Sequence, residues 1–128
     1  MADKRTMFTI REDEQNGSVK VSEEVLAIIA GLAATEVKGV SSMAGGFKED
    51  TIARLGLKNL RAGVSVTVEE DHITAIDLAL NINYGFSIVD VSREVQERVK
   101  NAVESMTGLE VSQVNVRVAD VSMKDNQE

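Results

Sequence analysis

Apolar residues change their spacing several times along the chain, and each change marks an element. Residues 18–21 alternate briefly and read as a first strand, stopped by Ser22. Ser22 suits an N-cap, because its hydroxyl accepts an orphan N–H of the first turn, and Glu23 and Glu24 follow where the helix dipole favours carboxylates. Val25, Ile28, Ile29 and Leu32 then fall on one stripe, which predicts a helix over 23–37 closed by Lys38 and Gly39. The other flank of this helix carries Ala27, Gly31 and Ala34, small residues that let another backbone come close. Packing on a sheet is the preferred reading of that flank, ahead of a self-association face.

Residues 40–43 form a short candidate strand, and 62–70 a clearer one in which Val64, Val66 and Val68 alternate with Ser65, Thr67 and Glu69. A turn over 69–72 leads to Ile76, Leu78, Leu80, Ile82 and Tyr84, alternating with Asp77, Ala79, Asn81 and Asn83. These two strands predict an antiparallel hairpin with one dry and one wet face. Ser87 and Asp90 resemble a capping box at the start of a second helix, whose buried stripe is Ile88, Val91, Val95, Val99, Ala102, Val103 and Met106, and Gly108 ends it. Glu94 with Arg98, and Lys100 with Glu104, stand one turn apart on its outer side. A last strand over 111–121 sets Val114, Val116 and Val118 on one face. The order β-α-β-β-β-α-β predicts an α+β fold: a two-layer sandwich of one mixed β-sheet, covered on one face by two amphipathic helices. Residues 17–123 make a single domain between a mobile polar head, 1–16, and a mobile tail, 124–128.

Composition narrows the chemistry. At 128 residues the chain has the size of one domain that buries a core without staples. Its 21 acidic and 14 basic residues leave a net charge of −7, which repels phosphate backbones and anionic lipid. The absence of cysteine removes disulfides, thiol nucleophiles and Cys-based metal sites, and the single histidine removes His-rich ones. Three Phe and one Tyr are too few for base-stacking platforms. The polar start has no secretory apolar core, and the longest uncharged apolar run, 25–34, is half of a membrane span, so a cytoplasmic chain without direct membrane insertion is expected.

Candidate sites are few. Glu69, Glu70, Asp71 and His72 hold oxygen and imidazole donors, but neighbours at a strand turn point apart, and an exposed turn is the preferred reading. Gly45-Gly46-Phe47-Lys48 lacks the helix start of a phosphate loop. No nucleophile elbow, Walker loop or dinucleotide fingerprint is present, so no catalytic, cofactor or metal residue is assigned and no enzyme is expected. The distinctive local feature is the segment 51–61, where Arg54, Lys58 and Arg61, with Lys48 just before it, concentrate positive charge. Within it Ile52, Leu55 and Leu60 lie near one face of a short helix, with Arg54, Lys58 and Arg61 around them. It reads either as a cap over an open end of the core or as a docking surface for an acidic or membrane-adjacent partner. Ser65, Thr67, Asn81 and Asn83 make the wet face of the hairpin nearly uncharged, which suits water or a partner sheet, including a second copy.

Three blocks carry a family resemblance. Gly17-x-Val19-x-Val21-Ser22-x-x-Val25 with Ala30, Ala33, Gly39-Val40 and Met43 is the first, and Asn83-Tyr84-Gly85 with Ile88 and Val91 the second. The third is Thr107-Gly108-Leu109-x-Val111-x-x-Val114-Asn115-Val116-x-Val118. In this order they resemble the alkaline shock protein family, also called the Gls-type envelope stress response family of Gram-positive bacteria. Where that family often has proline after the Ile that opens helix two, this chain has Val89, a departure that bears on the subgroup. The resemblance implies a non-enzymatic cytoplasmic protein of envelope homeostasis that self-associates and is held at the membrane by an integral membrane partner. Some members are encoded beside fatty-acid synthesis genes, and Arg54-Leu55-Gly56 with Gly63-Val64 is similar to those. A regulator of a metabolic enzyme is therefore the alternative, and an RNA-binding module, disfavoured by charge, comes third.

Overall fold

The structure is a computed structural model that describes residues 7–45, 61–70 and 72–123. Its elements are β1 (Met7–Asp13), β2 (Gly17–Ser22), α1 (Glu23–Thr35), β3 (Val40–Met43), β4 (Val64–Glu69), β5 (His72–Asn83), α2 (Ile88–Thr107) and β6 (Val111–Ser122). The α+β sandwich expected from the sequence is present, with one strand more.

That strand is β1. It lies in the stretch read as a polar head, and pairs antiparallel with β2 as a separate two-stranded sheet, so the fold has two sheets among the described residues, not one. Phe8, Ile10 and Val21 lean on the core, Ser22 is buried where the hairpin meets α1, and apart from the half-buried Asp13 the other residues of the hairpin face water. A bulge between Thr9 and Arg11 breaks the alternation that a sequence pattern relies on. Asp13 closes the turn, accepting from the Gln15 N–H at 2.9 Å and from Asn16 Nδ2 at 3.0 Å. Those bonds, the Gln15 N–H first, hold its carboxyl below the usual aspartate range.

The main sheet is built around β5. Along one side β4 pairs antiparallel with residues 72–78 and β3 with residues 80–82, so the two short strands lie end to end against one long one. Ala44 N–H donates to the Ala79 carbonyl and Ala79 N–H to the Gly63 carbonyl, both at 2.9 Å, which joins the two pieces. Gly63 has φ +76°, and a Cβ there would sit 2.7 Å from the Ala79 oxygen and 2.9 Å from the Ala44 oxygen, so only glycine fits. On the other side β6 runs parallel to β5 from Val111 to Ser122, the crossover being α2. The sheet is therefore mixed.

Ile76, Leu78, Leu80 and Ile82 project from β5 into one core with α1 and α2. Helix α2 follows its expected stripe in the middle, where Val91, Val95, Val99 and Val103 are buried, but not at its ends: Ile88 is 46% and Met106 67% exposed. Ser87 caps it by accepting the Asp90 N–H at 3.2 Å, and Gly108 closes it in the left-handed region. On helix α1 the small flank of Ala27, Gly31 and Ala34 packs inward as the sequence suggests, while the ends of the apolar stripe do not. Val25 and Leu32, at 43% and 46% exposure, face outward, whereas Leu26, Ala27, Ala30, Gly31, Ala33 and Ala34 are buried. The small flank is the inner one, because it lets the helix axis approach the layer beneath.

Candidate functional site

Both helices cover the same face of the main sheet, so the alternate positions of its strands make the opposite face. Ser65 and Thr67 on β4, Asp77 and Asn81 on β5, and Asn115 and Arg117 on β6 stand there, and all but the half-buried Asn81 are exposed. At its centre Ala79 is only 5% exposed and floors a depression of about 350 Å³ rimmed by Gly63, Ser65, Asp77, Asn115 and Arg117. Asn115 Nδ2 donates to Asp77 Oδ1 at 2.9 Å and to Gln113 Oε1 at 3.2 Å, and Asn81 Nδ2 to Ser42 Oγ at 3.1 Å. The Asp77 carboxylate is thus held by an amide, and among the described residues no hydrogen bond joins it to Ser65, which stands opposite it on β4.

The wet face of the β4–β5 hairpin is where the sequence put it. The sequence did not bring Asn115 and Arg117 to it, because that needs β6 beside β5, and alternation within one strand carries no information about its neighbour. A second patch also escaped the pattern: Tyr84, Phe86, Ile88, Val89 and Met123 are exposed, and the Tyr84 N–H donates to the Ser122 carbonyl at 2.8 Å, which ties the start of this loop to the end of β6.

The basic segment falls largely elsewhere. Ile52, Arg54, Leu55, Lys58 and Leu60 lie outside the described residues, as do Gly46, Phe47 and Lys48. Arg61 is described, and its Nε meets Glu24 Oε2 at 3.4 Å on the first turn of α1. In the acidic turn, His72 pairs across the hairpin with Glu69, and Asp71 lies outside the described residues. Among the described residues no three His, Asp or Glu side chains converge as a metal would require, and no helix is long and apolar enough to cross a membrane.

The edge of the sheet beside α2 is partly dressed. Val111 N–H donates to Glu104 Oε2 at 2.9 Å, Lys100 Nζ donates to the Val111 carbonyl at 2.8 Å, and Gln96 Nε2 to the Val114 carbonyl at 2.9 Å. Lys100 and Glu104 also meet at 3.2 Å, as their spacing predicts, and Arg98 and Glu94 at 3.8 Å. The Val111 N–H, and after it Lys100, hold the Glu104 carboxyl below its ordinary value.

Comparison with known proteins agrees with the three sequence blocks. A family model for the alkaline shock protein 23 family, described as having a cell envelope-related function, matches residues 11–123. The Bacillus subtilis (strain 168) protein YqhY is 35% identical over 121 residues, which cover 94% of this chain and 89% of that one. The Streptococcus pyogenes serotype M6 protein Spy1614 is 33% identical over 118 residues, 91% of this chain and 97% of that one. A stress response regulator gls24 homolog of Streptococcus pyogenes serotype M3 is 30% identical over 110 residues, and this chain spans 61% of its length. Among solved structures a MamM CTD aligns with a TM-score of 0.47 and 14% identity over 76% of this chain and 94% of that one, a likeness too distant to carry an argument. The chain belongs to the alkaline shock protein 23 family, whose function is related to the cell envelope.

Proposed function

We propose that the chain is a non-catalytic member of this family that works through protein contacts and is recruited to the inner face of the cell membrane by an integral membrane partner. The observation that carries this reading is the open face of the main sheet. Its carboxylate is tied to an amide, and its remaining groups are hydroxyls, amides and one guanidinium, the equipment of a contact surface and not of an acid–base pair. The basic segment serves as the docking element toward an acidic partner, through Ile52, Arg54, Leu55, Lys58, Leu60 and Arg61. The ion pair of Arg61 with Glu24 is compatible with this role, since an exposed pair of this kind contributes little to stability and exchanges partners readily.

Mild crosslinking of the tagged full-length chain in cells, followed by membrane fractionation and identification of what co-purifies, tests the proposal. A membrane protein and further copies of the chain are the expected products. Dominance of a soluble biosynthetic enzyme overturns recruitment to the membrane and favours regulation of that enzyme. The triple variant Arg54→Glu, Lys58→Glu, Arg61→Glu is expected to fold and to lose the partner; undiminished co-purification removes the segment from the interface.

A further inference from the structure

Every open sheet edge is a row of unpaired backbone groups, and this fold treats its edges unequally. The edge opposite β6 is broken into pieces of four and six residues, β3 and β4. Strand β1 is bulged and ends in Arg11, Glu12 and Asp13, and β2 is six residues long and carries Lys20. These are the devices by which proteins blunt an edge. Strand β6 has twelve residues, no proline, no lysine and five valines. Its first third is covered by Glu104, Lys100 and Gln96, the bulge between Val118 and Asp120 lies near its end, and from Asn115 to Val118 no side chain bonds its outer edge among the described residues.

The direction of that edge follows from one bond. The Val114 carbonyl points away from β5, since Gln96 reaches it, so Val116 and Val118, two and four residues on, turn their N–H and C=O the same way. We propose that this stretch pairs antiparallel with the same stretch of a second copy, about a two-fold axis at Val116. The proposal rests on reading the chain as a protein-contact module and names one contact.

The sequence around the axis is self-complementary. Val116 meets Val116 of the second copy, and Val114 lies opposite Val118 in both directions, where Gln96 yields the Val114 carbonyl to the incoming Val118 N–H, all on the face toward the helices, where Val116 and Val118 are only partly covered. On the open face Arg117 meets Asn115 of the second copy, whose amide is bonded to Asp77. Each guanidinium therefore arrives beside a carboxylate of the other copy, twice over by symmetry. A shift of the axis to residue 117 would set the two arginines against each other, and the charge pattern disfavours it. The contact extends the open face into one surface across both copies.

The lack of native cysteine makes the test direct. The full chain carrying Val116→Cys, treated with a short bismaleimide at low concentration, is expected to give a covalent dimer, while Thr67→Cys, on the other side of the sheet, gives none. Sedimentation of the unmodified chain is expected to show a monomer–dimer equilibrium at concentrations up to about 1 mM. Arg117→Glu weakens it roughly tenfold or more, and adding Asp77→Lys restores it. A chain that stays monomeric throughout overturns the proposal even if partner capture in cells succeeds. A dimer that crosslinks at residue 67 and not at 116, or that ignores Arg117→Glu, overturns the assignment to this edge. Arg117 and Asp77 are exposed on the open face and Val116 is only partly covered, and far-UV circular dichroism equal to the parent chain certifies each sample.

Discussion

Helix α1 and helix α2 lie side by side on the same face of the same sheet, yet they use opposite kinds of residue to reach it. α2 buries a row of valines at every fourth position and turns Asp90, Arg93, Glu94, Glu97 and Arg98 to water. α1 buries mostly alanines and a glycine and turns Val25 and Leu32 outward. Large side chains hold a helix at a distance and fill the gap; small ones let the backbone come in and leave no gap to fill. Burial thus follows volume matched to spacing, not hydrophobicity alone.

Filling the close approach is the strongest way to break this contrast. Ala30→Leu on α1, at a fully buried position, forces the helix away from the layer below and is expected to cost about 3 kcal/mol, read as a fall of roughly 10 °C in Tm. The converse change on α2, Val99→Ala, leaves a void where volume is needed and is expected to cost about 2 kcal/mol by urea unfolding. Leu32→Ser sharpens the comparison, because it removes the largest outward residue of α1. A stability change within about 0.5 kcal/mol is expected, and a loss as large as that of Val99→Ala would mean that α1 is turned the other way.

The smallest effect concerns the flank of α2 that holds β6. Glu104 has a folded-state pKa below its unfolded one, so its contribution is fully present above the unfolded glutamate value and is lost as pH falls through the folded value. Glu104→Gln is expected to lower Tm slightly at neutral pH. The gap between variant and parent should close on acidification and should not change above neutrality; a gap that persists in acid would show that packing, not the carboxylate, carries the effect.

How much of this was legible in the chain follows from the same physics. α2 and the β4–β5 hairpin were readable because polar and apolar residues alternate sharply there, with periods of 3.6 and 2. α1 was readable as a helix, and its small flank as a packing face, but the exposure of Val25 and Leu32 was not, since a segment apolar on nearly all sides offers periodicity little to choose between. β1 was missed because its bulge at Ile10 interrupts an already short alternation among charged residues. Of the candidate surface, Ser65, Thr67, Asp77 and Asn81 were legible as a wet face. Asn115 and Arg117 joined it only through the parallel pairing of β6, a contact between strands separated by a whole helix.

The meeting of β3 and β4 end to end carries a last consequence. The chain leaves the sheet at Ala44 and rejoins it at Gly63, and both residues are bonded to the two sides of a single peptide neighbour, Ala79. Departure and return are therefore one place on the sheet. Because closing a longer loop costs only slowly more entropy, this is a socket: segments of different length and character can be exchanged there while the scaffold stays the same.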